Sequence, residues 1–279
     1  MSPAALVEFM IEKAPLMLAA WFIVACSDDA RDSADARCAA TSALGGAAGV
    51  TGFSVAGTNT DERAIVPDHL QVSPRPGINS VFNVTALTLR AAERGIELYA
   101  SVRNDGEIAA CNPSFSVELR DRDEQVLAAG VSGLMIRRFY RLLNDATTIA
   151  GCVAPGDVTR VAITNLSLDA PLADVQSVIY QSNYWYLDVV AVPGVGLADV
   201  QAVTRSEGLA YTGTLVNGLE LPLMHPTVAI FPLNAVGRPL DVAYAGSTLA
   251  LAPCDTWKFE TSAVSELGVG YDAYPMGGP

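Results

Sequence analysis

The fold is decided by the stretch RAAERGIELYASVRN, residues 90–104, which is matched farther along the chain by VTRSEGLAYTGTLVN, residues 203–217. A shift of 113 positions superposes the two stretches without a gap. Within them Gly95 aligns with Gly208 and Asn104 with Asn217, and beyond them the same shift aligns Pro113 with Pro226. Because the matches keep their order along the chain, the sequence predicts two related halves.

Each half has the pattern of short β-strands. Residues 96–102 and 209–215 are rich in β-forming side chains and alternate in part between apolar and polar positions. Residues 114–120 alternate strictly, so the side chains of Phe115, Val117 and Leu119 should face a core. In the second half, strands at 227–231 and 240–244 repeat this plan.

Polar segments separate the predicted strands. Residues 104–106 and 217–218 contain Asn, Asp and Gly, which tolerate the positive φ that a tight turn requires. Residues 121–125 form an acidic turn, and residues 234–238 form its counterpart in the second half. Short strands with regularly spaced turns predict a β-sandwich.

Three motifs resemble the FxLYD-type domain, an immunoglobulin-like β-sandwich common in bacterial envelope proteins. They are Val102-Arg103-Asn104, Leu119-Arg120-Asp121 and Ala154-Pro155-Gly156. The resemblance covers about residues 81–274 and implies an all-β fold with two tandem immunoglobulin-like β-sandwiches, 81–195 and 196–279. The second half departs from the family pattern at Phe231-Pro232-Leu233, where the acidic turn would begin, and at Cys254, where the glycine would stand. The family is mostly structural or adhesive, so no catalytic residue carries over.

The N-terminus has the features of an export signal. Ala14 to Ala25 form an apolar run, which is too short for a transmembrane helix of about 20 residues but suits a secretory signal. The run ends in Ile23-Val24-Ala25-Cys26 and resembles the lipobox of bacterial lipoproteins. The resemblance implies a helical signal peptide (1–25), a lipidated Cys26 and, because Ser27 follows the cysteine, an outer-membrane location. The Ala-, Gly- and Ser-rich residues 26–80 are predicted to be a flexible tether; short strands within Val50 to Val55 are the alternative for that part.

The charge balance excludes one class of partner. The chain has 17 basic and 30 acidic residues and a net charge of −13, so it should repel the phosphate backbone of nucleic acid and the headgroups of anionic lipids. Membrane attachment is therefore expected to be lipidic. With two histidines, His69 and His225, the sequence predicts no metal site and no cofactor.

Four cysteines remain beside Cys26, and an exported chain can oxidise them. Cys111 and Cys152 fall in the same half, so the sequence predicts a disulfide between them, which is worth about 4 kcal/mol at most. A second disulfide would join Cys38 to Cys254. The alternative for Cys254 is a small buried thiol.

The first half carries an insertion at about residues 134–150 that holds the chain's basic cluster. Arg137, Arg138, Phe139, Tyr140 and Arg141 could dock an acidic or aromatic protein partner, because Arg and aromatic residues are typical interface anchors. The alternative is an extra hairpin whose arginines pair with the protein's own carboxylates.

A second candidate surface contains Tyr184, Trp185 and Tyr186. On a strand, the two tyrosines share a face with Ser182 and Trp185 points the other way. Exposed aromatic side chains of this kind stack on sugar rings. The alternative is packing between the two halves, since the segment joins them.

No catalytic motif is complete. Residues 130–134 and 52–57 come close to the nucleophile elbow of serine hydrolases, but the first lacks the last glycine and the second has one residue too many. Asp121, Asp123 and Glu124 fall short of a calcium loop. The sequence therefore predicts a lipid-anchored, non-enzymatic binding or scaffolding module with an envelope protein partner; the alternative is a carbohydrate- or peptidoglycan-binding lipoprotein.

The Cys26→Ala variant should lose palmitate labelling and membrane residence together, because each methylene of an acyl chain buried in the bilayer contributes ~0.8 kcal/mol. Metabolic labelling with palmitate and cell fractionation measure both. A natural protein that is unlabelled and soluble would contradict the prediction.

Overall fold

A computed structural model describes residues 50–52, 64–65, 70–92, 95–136, 138–167, 170–192, 194–264 and 268–278. The predicted signal peptide, Cys26 and Cys38 lie outside these residues, so what the sequence predicts for them stays a prediction. No helix among the residues described is long and apolar enough to cross a membrane.

Regular structure in the described residues is almost entirely β-strand, which confirms the predicted all-β class. The first strands in chain order are β1 (Val50–Gly52), β2 (Ala64–Ile65), β3 (Gln71–Pro74), β4 (Phe82–Ala92), β5 (Gly95–Asn104), β6 (Ala110–Arg120), β7 (Val126–Gly133), β8 (Arg138–Leu142), β9 (Asp145–Val153) and β10 (Val158–Leu166). A short 3-10 turn, Leu172–Asp174, follows. The remaining strands are β11 (Ser177–Tyr186), β12 (Val189–Val192), β13 (Val195–Arg205), β14 (Gly208–Asn217), β15 (Met224–Leu233), β16 (Ala243–Gly246), β17 (Thr256–Glu260) and β18 (Gly270–Gly278).

Three short strands lie within the predicted tether and belong to the folded body. β1 pairs with β18, β2 pairs with β4, and β3 runs parallel to β11. These three parts of the predicted tether, residues 26–80, are therefore paired into sheets and are not a flexible spacer. β1 lies within residues 50–55, where the sequence left short strands open, whereas β2 and β3 offer too few alternating positions to be recognised.

The first half is a sandwich of two sheets. One sheet has the order β10-β5-β4-β2, and the other has the order β12-β8-β9-β6-β11-β3, with β7 also paired to β6. Phe115, Val117 and Leu119 are buried in the core between them, as the alternation predicted. Leu98 and Val161 meet them from the first sheet. The burial of apolar side chains from both sheets stabilises this half.

The second half is built from a three-stranded sheet, β13-β14-β17, and a four-stranded sheet, β1-β18-β15-β16. Its core contains Leu215 from β14, Val228 and Ile230 from β15, and Ala273 from β18. Each of these side chains is fully buried. A second large core therefore forms from the part of the chain that repeats the first.

A buried asparagine ends a central strand of the first half. Asn104 lies at the end of β5 and is fully buried. Its Nδ2 donates hydrogen bonds to the carbonyls of Val153 (2.8 Å) and Ile108 (3.1 Å), and its Oδ1 accepts one from the N–H of Gly106 (2.9 Å). The side chain thus satisfies backbone groups of two chain segments that meet at this corner, the loop after β5 and the end of β9.

Asn217 makes the matching set of bonds at the end of β14. Its Nδ2 donates to the carbonyls of Leu251 (2.9 Å) and Leu221 (3.0 Å), and its Oδ1 accepts from the N–H of Leu219 (3.0 Å). Neither asparagine has a positive φ. The prediction that they give a tight turn its conformational freedom is wrong, because their role is to bond carbonyls inside the core.

Other matched positions share backbone conformations. Gly95 and Gly208 have φ of +132° and +136°. A Cβ on Gly95 would lie 2.1 Å from the carbonyl oxygen of Leu166, and one on Gly208 would lie 2.4 Å from that of Val264. Both positions therefore require glycine.

The polar turns of the two halves also close alike. The carboxylate of Asp121 accepts the backbone N–H groups two and four residues later, at 2.9 and 2.8 Å. The side-chain oxygen of Asn234 accepts the equivalent pair at 3.1 and 2.9 Å. The acidic turn is therefore an exposed hairpin turn in which Asp121 bonds to its own backbone.

The two halves meet through a third apolar cluster. Tyr99 from β5 and Ala162 from β10 pack with Phe231 from β15 and Tyr274 from β18. All four side chains are buried. Tyr99 and Ala162 lie on the outer side of the β10-β5-β4-β2 sheet. The second half therefore covers that side of the first sandwich.

Buried ion pairs cross the same interface. Arg160 lies 2.7 Å from Asp272, and Arg90 lies 2.7 Å from Asp241. Tyr99 donates a hydrogen bond to Asp241, and burial raises the pKa of its hydroxyl far above the usual range. Because a buried charge that loses its partner is costly, these pairs favour the arrangement of the halves in which both are formed.

The disulfide predicted between Cys111 and Cys152 is present. It joins β6 to β9, where the two residues are direct cross-strand partners. Cys254 is also disulfide-bonded, so it is not the free buried thiol of the alternative. Its predicted partner, Cys38, lies outside the described residues.

The Asn104→Ala variant should lose roughly 3 kcal/mol of unfolding free energy, because two buried carbonyls and one N–H lose their partner. Urea denaturation measures the loss. The control is Asn144→Ala in an exposed turn, which should change stability by less than about 0.5 kcal/mol. Equal effects of the two variants would contradict the role given to Asn104.

The Asp272→Ala variant should lose about 3–5 kcal/mol, because the guanidinium of Arg160, only 8% exposed, stays buried without this carboxylate. The matched control is Glu260→Ala, which breaks the exposed Arg205–Glu260 pair and should cost at most about 1 kcal/mol. The double variant Arg160→Met/Asp272→Leu should recover most of the loss. Similar costs for Asp272→Ala and Glu260→Ala would contradict the prediction.

Candidate functional site

The candidate site lies at the end of β11, where three aromatic residues follow one another. We call Tyr184, Trp185 and Tyr186 the aromatic site. Trp185 is 64% exposed and Tyr186 is 49% exposed, so the segment is not buried between the halves. The interface is made by other strands, and the packing alternative for Trp185 is therefore excluded.

The strand places the three side chains on opposite faces, as the sequence predicted. The rings of Tyr184 and Tyr186 lie 5.1 Å apart, and Tyr184 also meets the core residue Phe82 edge to face at 5.6 Å. Ser182 shares their inward face, and its Oγ lies 2.8 Å from that of Ser80. Trp185 points to the outer side. The tyrosines thus close the end of the first core and hold the strand that presents the indole.

The two tyrosine hydroxyls contact each other. The hydroxyl of Tyr186 donates a hydrogen bond to that of Tyr184 at 3.5 Å. This bond, with a smaller effect of burial, raises the pKa of Tyr186 to about 12. The hydroxyl of Tyr186 therefore stays neutral at physiological pH.

An open groove lies farther along the same outer side of the sheet. It has a volume of about 370 Å³ and is lined by Ser116, Gln181 and Ile179, with Val131 from β7 and Arg75 after β3. Glu118 crosses it and forms ion pairs with Arg75 and, at 2.6 Å, with Arg120. These contacts, above all the hydrogen bond from Arg120, hold the pKa of the Glu118 carboxyl below its usual range.

The basic cluster is placed differently from the docking prediction. Phe139 is buried in the core of the second half, and Tyr140 is buried beside the disulfide. Neither ring is available as a surface anchor. The hairpin of β8 and β9 therefore connects the two halves.

The arginines of this segment pair with the protein's own carboxylates. Arg138 lies 2.9 Å from Asp157, and Arg141 lies 2.7 Å from Glu220. This is the arrangement of the alternative that the sequence left open. Arg137 lies outside the described residues.

The other candidate ligands are not assembled into a site. His225 is exposed and has a φ of +49°, and it occupies the position that Asn112, with φ +45°, holds in the first half. Each precedes a proline at an irregularity of its strand. Across the described ranges, no group of three or more His, Cys, Asp or Glu side chains could hold a metal ion.

Sequence reasoning missed the groove residues although a signal was present. The strict alternation of residues 114–120 assigned three side chains to the core and thereby placed Ser114, Ser116 and Glu118 outside. The alternation could not show which strand lies beside β6. Only the register of β6 with β11 sets Ser116 beside Gln181 and Ser114 beside Asn183.

Comparisons with known proteins add little to this geometry. No protein-family model matches the chain, and no curated protein matches it. Among solved structures, the chain is similar to red sea bream transglutaminase, at 11% identity and a TM-score of 0.23. The similarity covers 72% of this chain and 29% of that one. A TM-score this low supports no conclusion about fold or activity.

Proposed function

We propose that this protein is a lipid-anchored component of the bacterial outer membrane that acts without catalysis by binding another component of the cell envelope. The aromatic site is its contact surface, and carbohydrate or peptidoglycan is the class of ligand. The observation that carries the proposal is the exposure of Trp185, a large apolar side chain that β11 presents to solvent.

The proposed outer-membrane location rests on the N-terminal motif around Cys26. The presence of a disulfide agrees with it. Structural disulfides form and persist in oxidising compartments such as the periplasm. The Cys111–Cys152 bond lies inside a buried cluster with Tyr140 and Ala150, where its role is structural. An exported protein with a lipid at Cys26 would be held at the membrane surface by a short N-terminal segment.

The choice between the two candidate surfaces rests on exposure and on charge. In the basic cluster the aromatic rings are buried and two of the arginines are paired. Few of its side chains are therefore available to contact a protein partner. At the aromatic site the rings of Trp185 and Tyr186 are exposed, Trp185 on the outer side of the strand and Tyr186 on its other face. An exposed indole is suited to a sugar, because the C–H faces of the sugar ring stack on it and the hydroxyl edges bond to polar side chains nearby.

The Trp185→Ala variant should lose at least about 90% of its binding to insoluble cell-envelope material, because the indole supplies most of the apolar contact area. The purified full-length protein, in detergent, is sedimented with envelope polysaccharide and peptidoglycan fractions, and the pellet is quantified. Since Trp185 is exposed, its loss should leave the unfolding free energy within about 0.5 kcal/mol.

The matched control is Trp257→Ala, which removes a tryptophan of β17 in the second half and should leave co-sedimentation unchanged. Co-sedimentation that survives Trp185→Ala would contradict the proposed contact surface. Loss of binding with Arg138→Glu but not with Trp185→Ala would move the function to a protein partner at the basic cluster.

A further inference from the structure

The outer side of the first sandwich continues the aromatic site into a longer surface. Along β11, alternation turns Ile179, Gln181, Asn183 and Trp185 outward, while Val178 and Tyr180 enter the core. At about 3.3 Å per residue, the line from Ile179 to Trp185 is about 20 Å long. It joins the groove at one end to the exposed indole at the other.

The neighbouring strands widen this line into a face. In β6, Ser116 is the direct partner of Gln181, and Ser114 is the partner of Asn183. In β7, Val131 is the partner of Ser116 on the other side. We call the surface made by Ser114, Ser116, Gln181, Asn183 and Trp185 the β11 outer face. Its members are hydroxyls and amides, with the indole at the end.

The β11 outer face is electrically neutral on a protein of net charge −13. The charges at its groove end belong to Arg75, Glu118, Arg120 and Glu124. Glu118 pairs with both arginines, and Arg120 also lies 3.5 Å from Glu124, so the two positive and two negative charges balance. A ligand with carboxylates or phosphates would find no unpaired cation in this network and would meet the repulsion of the whole molecule. The charge pattern therefore favours an uncharged ligand.

The polar side chains of the face are available for hydrogen bonding. Gln181 Nε2 donates to Asn183 Oδ1 at 3.3 Å, and Ser116 Oγ donates to the carbonyl of Gln181 at 3.3 Å. Each bond uses only part of what an amide or a hydroxyl can donate and accept. The groove supplies apolar contact beside them, through Val131 and Ile179.

The geometry points to a binding site for a neutral, linear glycan on the β11 outer face, with one sugar stacked on Trp185 and the chain running over Asn183 and Gln181 into the groove. This inference rests on the proposed function and names its ligand class. A hydroxyl-rich, uncharged chain matches the amides and serines of the face, and its extended shape matches a line of about 20 Å.

Isothermal titration calorimetry on the full-length protein in detergent tests the site. The probes are cellohexaose, laminarihexaose and the hexamer of N-acetylglucosamine, with an oligogalacturonate as the anionic comparator. At least one neutral hexamer should bind, its disaccharide should bind at least about tenfold more weakly, and the oligogalacturonate should not bind. Trp185→Ala should weaken the hexamer at least about tenfold.

Variants along the face separate an extended site from simple stacking. Gln181→Ala and Asn183→Ala should each weaken the hexamer by roughly 3- to 10-fold, the value of one or two lost hydrogen bonds. The matched control is Gln201→Ala, an exposed glutamine on β13 in the second half, which should change nothing. A hexamer that binds wild type and both variants equally would overturn the extended site.

The failure of this inference is distinguishable from that of the proposed function. If no neutral hexamer binds while Trp185-dependent co-sedimentation with envelope material persists, the glycan assignment is overturned, and the contact surface serves a peptide or protein. If co-sedimentation and hexamer binding are both absent, both proposals fail. Tighter binding of the oligogalacturonate than of every neutral hexamer would overturn the charge argument.

Discussion

The whole architecture depends on a buried asparagine that satisfies backbone groups at the corner of each sandwich. Asn104 and Asn217 are both fully buried, and each bonds carbonyls of two other segments. A buried carbonyl without a partner costs about 1–3 kcal/mol, and several such groups meet at each corner. No other side chain of this size carries both a twofold donor and an acceptor, which is why the residue recurs in the repeat.

The interface between the halves determines which sheet of the first sandwich has an outer side that can bind a ligand. The second half covers the outer side of the β10-β5-β4-β2 sheet and buries Tyr99 and Arg160 there. None of the strands that the structure describes covers the outer side of β6, β7 and β11. The candidate site lies on this side. The second half therefore packs against the opposite side of the first sandwich and does not cover the site.

The basic cluster illustrates how composition can mislead. Arg and aromatic residues in sequence resemble an interface anchor, yet alternation along β8 sends Phe139 into the second core and Tyr140 to the disulfide. The same cluster therefore joins the halves. At the aromatic site the reverse holds, because alternation along β11 turns Trp185 to the outer side of the sheet, where it is exposed.

The sequence by itself determined the all-β class, the duplication, the inward residues of β6 and the Cys111–Cys152 pair, because each of these follows from local periodicity or from order along the chain. Only the tertiary structure decided the exposure of Trp185, the pairing of Arg138 and Arg141, the burial of Asn104 and the neutral face beside β11. These depend on strand register and on which sheet the second half covers. Both are set by contacts between residues far apart in the chain, and no local pattern encodes them.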